Sequence, residues 1–143
     1  MLHKRPKALD APIVNQLIRM EAKAYVRADQ WRKKYRYTLV TEFRQHITIA
    51  KNETIVAFEL QARYRDEKLY HYNRALAELT MVEANMDVMI MDEIGVMSEK
   101  EWAEFAQQIY GIRDGLSRLI SSLAKSAGGS ESLNLGTESV SAS

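Results

Sequence analysis

The chain has 143 residues, 46% of them apolar and 27% charged, with no cysteine. That is one domain's length with material for a core, which excludes wholesale disorder, a disulfide framework and thiolate chemistry. No run of about 18 uncharged apolar residues occurs and no apolar signal core follows the basic N-terminus, so no membrane span is expected and the expected location is cytoplasmic. The net charge of +1 is the sum of +8 over residues 1–51 (12 Lys/Arg, 4 Asp/Glu) and −7 over residues 52–143 (8 and 15). Either the two halves neutralise each other inside the fold, or the basic half offers a surface to a polyanion.

Asp10 followed by Pro12 reads as a helix start, an N-cap with proline in the first turn. Val14, Leu17, Ala24, Ala28 and Trp31 then recur at helical spacing, with Ile13 and Met20 widening the stripe. Arg32-Lys33-Lys34-Tyr35-Arg36 has no apolar periodicity and predicts a turn. A second stripe runs Leu39, Phe43, Ile47, Ala50, Thr54, Phe58. Its middle is β-branched at Thr48-Ile49 and Thr54-Ile55-Val56, but strict alternation is absent, so helix is expected. Arg63-Tyr64-Arg65-Asp66 predicts the next turn, with Asp66 as N-cap. The third stripe is Leu69, Tyr72, Leu76, Leu79, Met86, Ile90, and Val82 takes the core place beside Glu83. Gly95 suits a left-handed helix stop, and Ser98 with Glu101 forms a capping box for the next helix. The fourth stripe, Trp102, Phe105, Ile109, Ile112, Leu116, Leu119, Leu123, alternates steps of three and four as in a packed bundle helix. Beyond Lys125 the composition turns to Ser, Gly, Glu and Thr. The expected fold is therefore an all-α, antiparallel up-down-up-down four-helix bundle over residues 1–126, with a disordered Ser/Gly-rich tail over 127–143.

Carboxylates and histidines in such a bundle raise the di-iron reading, which needs Glu-x-x-His on two helices. Here Glu42 and His46, and Glu67 and His71, stand four apart, so they are expected as ordinary surface pairs, and no metal or cofactor is expected. No nucleophile elbow and no glycine-rich phosphate loop occurs, and no catalysis is expected. Gly111 and Gly115 each cost about 1 kcal/mol in a helix interior relative to alanine. Close packing against a neighbouring helix or a neighbouring subunit would account for them. Arg32, Lys33, Lys34 and Arg36, interleaved with Trp31, Tyr35 and Tyr37, form the most site-like feature, since Lys and Arg hold phosphates and aromatics stack on unpaired bases. Arg44, Lys51, Arg63 and Arg65 would extend that surface. The alternative is a solvated turn whose aromatics close the end of the bundle.

Several segments carry a resemblance over residues 13–123. Arg36-Tyr37-x-Leu39 opens the second helix, Thr48-Ile49-x-x-Asn52 lies within it, and Leu76-Ala77-Glu78-Leu79 lies in the third. The Gly95 turn with Ser98-Glu99-Lys100-Glu101-Trp102 follows, then Ile112-Arg113-x-x-Leu116 with Leu119-Ile120. In this order the chain resembles the four-helix-bundle superfamily of the 23S ribosomal RNA intervening-sequence proteins and the accessory variability determinant proteins of diversity-generating retroelements. The first group has Ser-Ile-Pro-x-Asn followed by Ala-Glu-Gly. Here Ala50 replaces the proline and Thr54-Ile55-Val56 replaces the second motif, which favours the second group. The resemblance implies a homopentamer with a basic surface that binds a reverse transcriptase and its template RNA, or an RNA/DNA hybrid, and supports complementary-DNA synthesis without catalysing it. Membership of the first group would instead imply a structural or protein-interaction bundle with no nucleic-acid role.

Overall fold

The computed structural model describes residues 6–134; the end of the expected tail, 135–143, lies outside the described residues. Four α-helices are found there, α1 (Pro12–Ala28), α2 (Leu39–Glu59), α3 (Arg65–Met89) and α4 (Glu99–Asn134). Each packs on its neighbours in a closed ring, α1 on α2 and α4, and α3 on α2 and α4, giving the antiparallel up-down-up-down bundle. The helical backbone of α4 continues over 127–134, a stretch expected to be disordered. Extending an already nucleated helix fixes one residue per hydrogen bond and is far easier than starting one, which carries α4 past its apolar stripe.

Local chemistry sets most of the boundaries. Pro12 occupies the first position of α1, where its missing N–H costs nothing, but the N-cap is Ala11 rather than Asp10. Asp10 is instead the last residue of a 3₁₀ turn, Lys7–Asp10. The Ala8 N–H in that turn donates to Glu59 Oε1 at 2.9 Å, which fastens the turn to the end of α2. At the start of α3 the N-cap is Tyr64, and Asp66 lies inside the first turn. Lys68 closes the other side of that connection, donating through Nζ to the carbonyls of Ala57 at 2.5 Å and Leu60 at 2.9 Å. A cation on the orphan carbonyls of a helix end is favourable, although burial and the charge of Lys7 push the Lys68 pKa down. Gly95 takes φ +59°, the left-handed conformation expected of it, and the Val96 and Met97 N–H groups both reach back to the Met89 carbonyl at 3.0 Å. Val96 and Met97 are thereby turned inward and buried. The capping box forms as expected, Glu101 N–H to Ser98 Oγ and Ser98 N–H to Glu101 Oε1, each at 3.1 Å.

The core contains every residue of the first stripe, from Ile13 to Trp31. In α2 and α3 it is offset from the expected stripes. Val40 and Ala57 are fully buried where Leu39 and Phe58 only flank the core, and Ala75 and Met89 replace Leu76 and Ile90. Small residues Ala50, Ala57 and Ala75 let these two helices approach closely, and the larger neighbours then pack along the sides of the seam. Val82 is buried as expected, with Glu83 at the boundary beside Arg113. Thr54, the one buried polar residue among the described residues, returns its hydroxyl hydrogen to the Ala50 carbonyl at 2.8 Å.

At the end of the bundle where α1 stops and α4 starts, Trp31 lies beyond α1 and turns its ring inward. Its centroid is 5.7 Å from Phe43 and 6.4 Å from Phe105, and those two rings meet edge to face at 5.3 Å. The indole Nε1–H donates to the Glu101 carboxylate at 3.1 Å, the same carboxylate that completes the capping box. Trp31→Ala is therefore expected to cost about 3–5 kcal/mol. Trp31→Phe keeps most of the buried ring, loses the indole hydrogen bond and should cost about 1 kcal/mol. Urea denaturation of the three proteins reads both values.

Candidate nucleic-acid interface

The segment expected as a basic turn joins α1 to α2 and contains a single 3₁₀ turn, Lys33–Tyr35. Arg32 does not point into solvent freely: its Nη1 donates to the Ile94 carbonyl at 3.0 Å, docking this connection onto the one between α3 and α4. Lys33 and Lys34 are exposed and Arg36 is half-buried, and none has an ion-pair partner among the described residues. Lys34 Nζ lies 5.5 Å from the Tyr35 ring centroid. Tyr35 itself packs against the core, so the ring expected to stack on a base instead closes the end of the bundle. Tyr37, 85% exposed, is the open aromatic of this segment.

A groove between α1 and α2 leads away from these cations. The Thr41 hydroxyl donates to the Arg36 carbonyl at 2.6 Å, and Thr41 is the first residue lining a cleft of about 610 Å³ with Tyr25, Arg44, Gln45, Thr48 and Ile49. The Arg44 guanidinium lies 3.8 Å from the Tyr25 ring centroid, with its Nε buried and without a hydrogen-bond partner, so only its outer Nη groups can meet an anion. Stacking of this kind holds the guanidinium plane in place and leaves its edge for an anion. One turn further on the groove is neutralised. Lys51 Nζ is held by both oxygens of Glu21, at 2.8 and 3.0 Å, and Thr48 donates to the same carboxylate at 2.6 Å. Burial pushes the Glu21 carboxyl up, but hydrogen bonds from Lys51 and Thr48 and the charges of Lys51 and Arg44 outweigh it, so its pKa is lowered overall.

Lys33, Lys34 and Arg36 lie in the connection before α2, and Arg44 lies in the groove, in the second turn of that helix. Lys51 is committed to Glu21. Arg63 and Arg65 stand at the opposite end of α2, about 30 Å away for a helix of 21 residues. Arg63 donates to the Tyr64 hydroxyl at 2.9 Å, and Arg65 faces Asp66 at 3.8 Å. Charge elsewhere on α1 is spent inside the fold: Lys23 meets Glu104 at 3.2 Å, and Arg27 meets Glu104 at 3.4 Å and Glu101 at 3.6 Å. Neutralisation inside the fold therefore accounts for Lys23, Arg27 and Lys51. Tyr25 was not among the expected site residues. Its role depends on Arg44 from another helix, and no local pattern announces such a pair.

Two further expectations are corrected. Glu42 and Glu67 do not pair with the histidines four residues away. His46 Nδ1 lies 2.5 Å from Glu78, and His71 Nδ1 contacts Glu53, so both pairs bridge α2 and α3. In each helix the histidine precedes the glutamate by seven residues, so antiparallel packing matches each His with a Glu. Among the described residues no group of three or more His, Cys, Asp or Glu could hold a metal ion, and no helix is long and apolar enough to cross a membrane. Of the two glycines considered for close packing, Gly115 meets a neighbouring helix of the same chain. A Cβ there would lie 2.9 Å from Ile13 Cδ1 of α1, whereas a Cβ on Gly111 would meet nothing within 4 Å.

No protein-family model, curated protein or solved structure matches the chain.

Two outcomes follow from this geometry. The Glu21 pKa is lower folded than unfolded, so its contribution to stability is complete above the ordinary carboxylate range and is lost as pH falls through the folded-state value. Glu21→Gln should lower the melting temperature near neutral pH, with the gap to the wild type narrowing below about pH 4, in thermal denaturation across a pH series. Gly111→Ala meets open space and should stabilise by about 0.5–1 kcal/mol through helix propensity, measured by urea denaturation.

Proposed function

We propose that the chain is a non-catalytic accessory protein that binds RNA, or an RNA/DNA hybrid, and a reverse transcriptase, in support of complementary-DNA synthesis by a diversity-generating retroelement. One observation carries the nucleic-acid part. Lys33, Lys34 and Arg36 have no ion-pair partner among the described residues, and the Arg36 carbonyl accepts from Thr41, which lines the groove where Arg44 lies over Tyr25. Cations free of partners release counterions when they meet phosphates, and an exposed ring beside them adds a stacking platform. Nothing in the groove presents a base-reading pattern, so binding is sequence-tolerant. The reverse transcriptase, the retroelement and a pentameric assembly rest on the resemblance alone, and a cytoplasmic location rests on the composition. Gly115 does not add to the last of these, because Ile13 accounts for it.

A second reading, a protein-interaction bundle with no nucleic-acid role, is favoured by a different feature. The outward face of α3 is apolar at Met81 and Val88, which are 47% and 40% exposed.

The test of the first reading is the salt dependence of RNA binding. Affinity for a single-stranded RNA should fall steeply with salt, each phosphate contact adding roughly 0.7–0.9 to the slope of log affinity against log salt. Lys33→Glu with Lys34→Glu should weaken binding and flatten that slope, with an unchanged helical circular-dichroism signal, because neither side chain holds the fold. Tyr37→Ala should lose about 1–3 kcal/mol if a base stacks there. RNA binding that is absent, or insensitive to both changes, would give precedence to the interaction bundle.

A further inference from the structure

Helix α3 is apolar on two opposite faces. Tyr72, Ala75, Leu79, Val82, Met86 and Met89 face the core. On the other side Tyr70, Ala77, Met81, Ala84 and Val88, and Met91 just past the helix end, are all exposed. From Ala77 onward these outer residues step by four, three, four and three, which keeps them on one stripe and is the spacing of a helix–helix seam. Arg74 continues the stripe between Tyr70 and Ala77, and its Nη1 donates to the Tyr70 hydroxyl at 3.3 Å. No described element covers this face. A surface helix of a monomer has one apolar stripe, and a second contiguous one marks a contact.

Large and small residues alternate along the outer stripe, Ala77, Met81, Ala84, Val88. We propose that this face is where two copies of the chain meet, their α3 helices antiparallel, with Met81 against Ala84 of the partner subunit and Val88 against Ala77 of the partner subunit. In an antiparallel seam each large residue faces a small one and the layers fill. A parallel pair would set Met81 on its own copy and alanine on alanine, leaving the alanine layers empty. The flanking charges agree. In the antiparallel register the exposed Thr80 faces Asp87 of the partner subunit. No like charges oppose one another. A parallel pair would bring Asp87 against Asp92 of the partner subunit. The seam from residue 70 to 91 is about 32 Å long and two such faces bury roughly 1,000 Å² together, the lower end of what a specific interface needs. The contact is two-fold, so it joins protomers in pairs, and if protomers already form a ring it joins one ring to another.

The absence of cysteine makes the test clean, since any introduced thiol is unique. Single nitroxide labels on Ala84→Cys and on Tyr70→Cys are compared by pulsed electron–electron double resonance at tens of micromolar protein. The register places the two copies of residue 84 about 5 Å apart along the helix axis and the two copies of residue 70 about 38 Å apart. A parallel pair would give similar, short separations at both sites. Met81→Glu combined with Val88→Glu should halve the mass seen by light scattering, from dimer to monomer or from paired rings to single rings. The helical signal should stay intact because both side chains are exposed. A monomeric wild type, a mass unchanged by the double substitution, or a distance from residue 84 no shorter than from residue 70 would each overturn the proposal. The last two are the results expected if the neighbour presents a different face or is a different protein.

Discussion

The hydrogen bond from the Trp31 indole to Glu101 holds together the end of the bundle where α1 stops and α4 starts. Trp31 belongs to a connection, not to a helix, and a connection keeps a fixed path only if something inside the fold holds it. The ring is held by Phe43 from α2 and Phe105 from α4, while the N–H is satisfied by a carboxylate already fixed by its capping box. Three helices are thereby tied at one point, and the next residue, Arg32, is left in reach of the Ile94 carbonyl. Lys33, Lys34 and Arg36 then have no choice but to face outward.

Charge is distributed around that point in a consistent way. Lys23 and Arg27 of α1 are met by Glu101 and Glu104 of α4, and Lys51 is met by Glu21. Exposed and half-exposed pairs of this kind contribute little stability each, but they remove positive potential from the faces they occupy. Lys33, Lys34 and Arg36, where α1 passes into α2, are among the cations that remain without an ion-pair partner among the described residues. A chain of net charge +1 can present a basic surface in this way, because the compensating acids sit elsewhere.

The α2–α3 hairpin follows a different logic. Alanines bring the two helices close, and the His46–Glu78 and His71–Glu53 bridges fall in place only in one antiparallel register. Slipping the helices by one turn would leave both histidines and both glutamates without these partners. Because the inner side of α3 is served by small and medium side chains, its outer side can be apolar without any loss to the core. The same helix then contributes to the bundle and presents an unpartnered face, opposite the core and away from the basic groove.

The four-helix architecture, the Gly95 stop, the Ser98–Glu101 box and the helical state of the β-branched middle of α2 were all legible in the sequence. They depend on periodicity of 3.6 and on side chains acting within four residues of themselves. The first stripe was read correctly as core, although its last residue, Trp31, lies beyond the end of α1. What the sequence could not settle was which neighbour each side chain meets. Leu39, Phe58, Leu76 and Ile90 are as apolar as the residues that displaced them from the seam, and only the close approach of α2 and α3 decides between flank and centre. The histidines have a glutamate within four residues and another across the helix pair, and packing selects the second. The basic residues look alike along the chain, yet Lys51 is neutralised, Arg63 and Arg65 stand a helix length away, and Tyr35 packs against the core while Tyr37 is open. Local sequence determines which elements form and where they stop, because those interactions lie within a turn or two. Which charges and rings remain available to another molecule is decided by contacts between residues far apart in the chain, and those exist only once the bundle has closed.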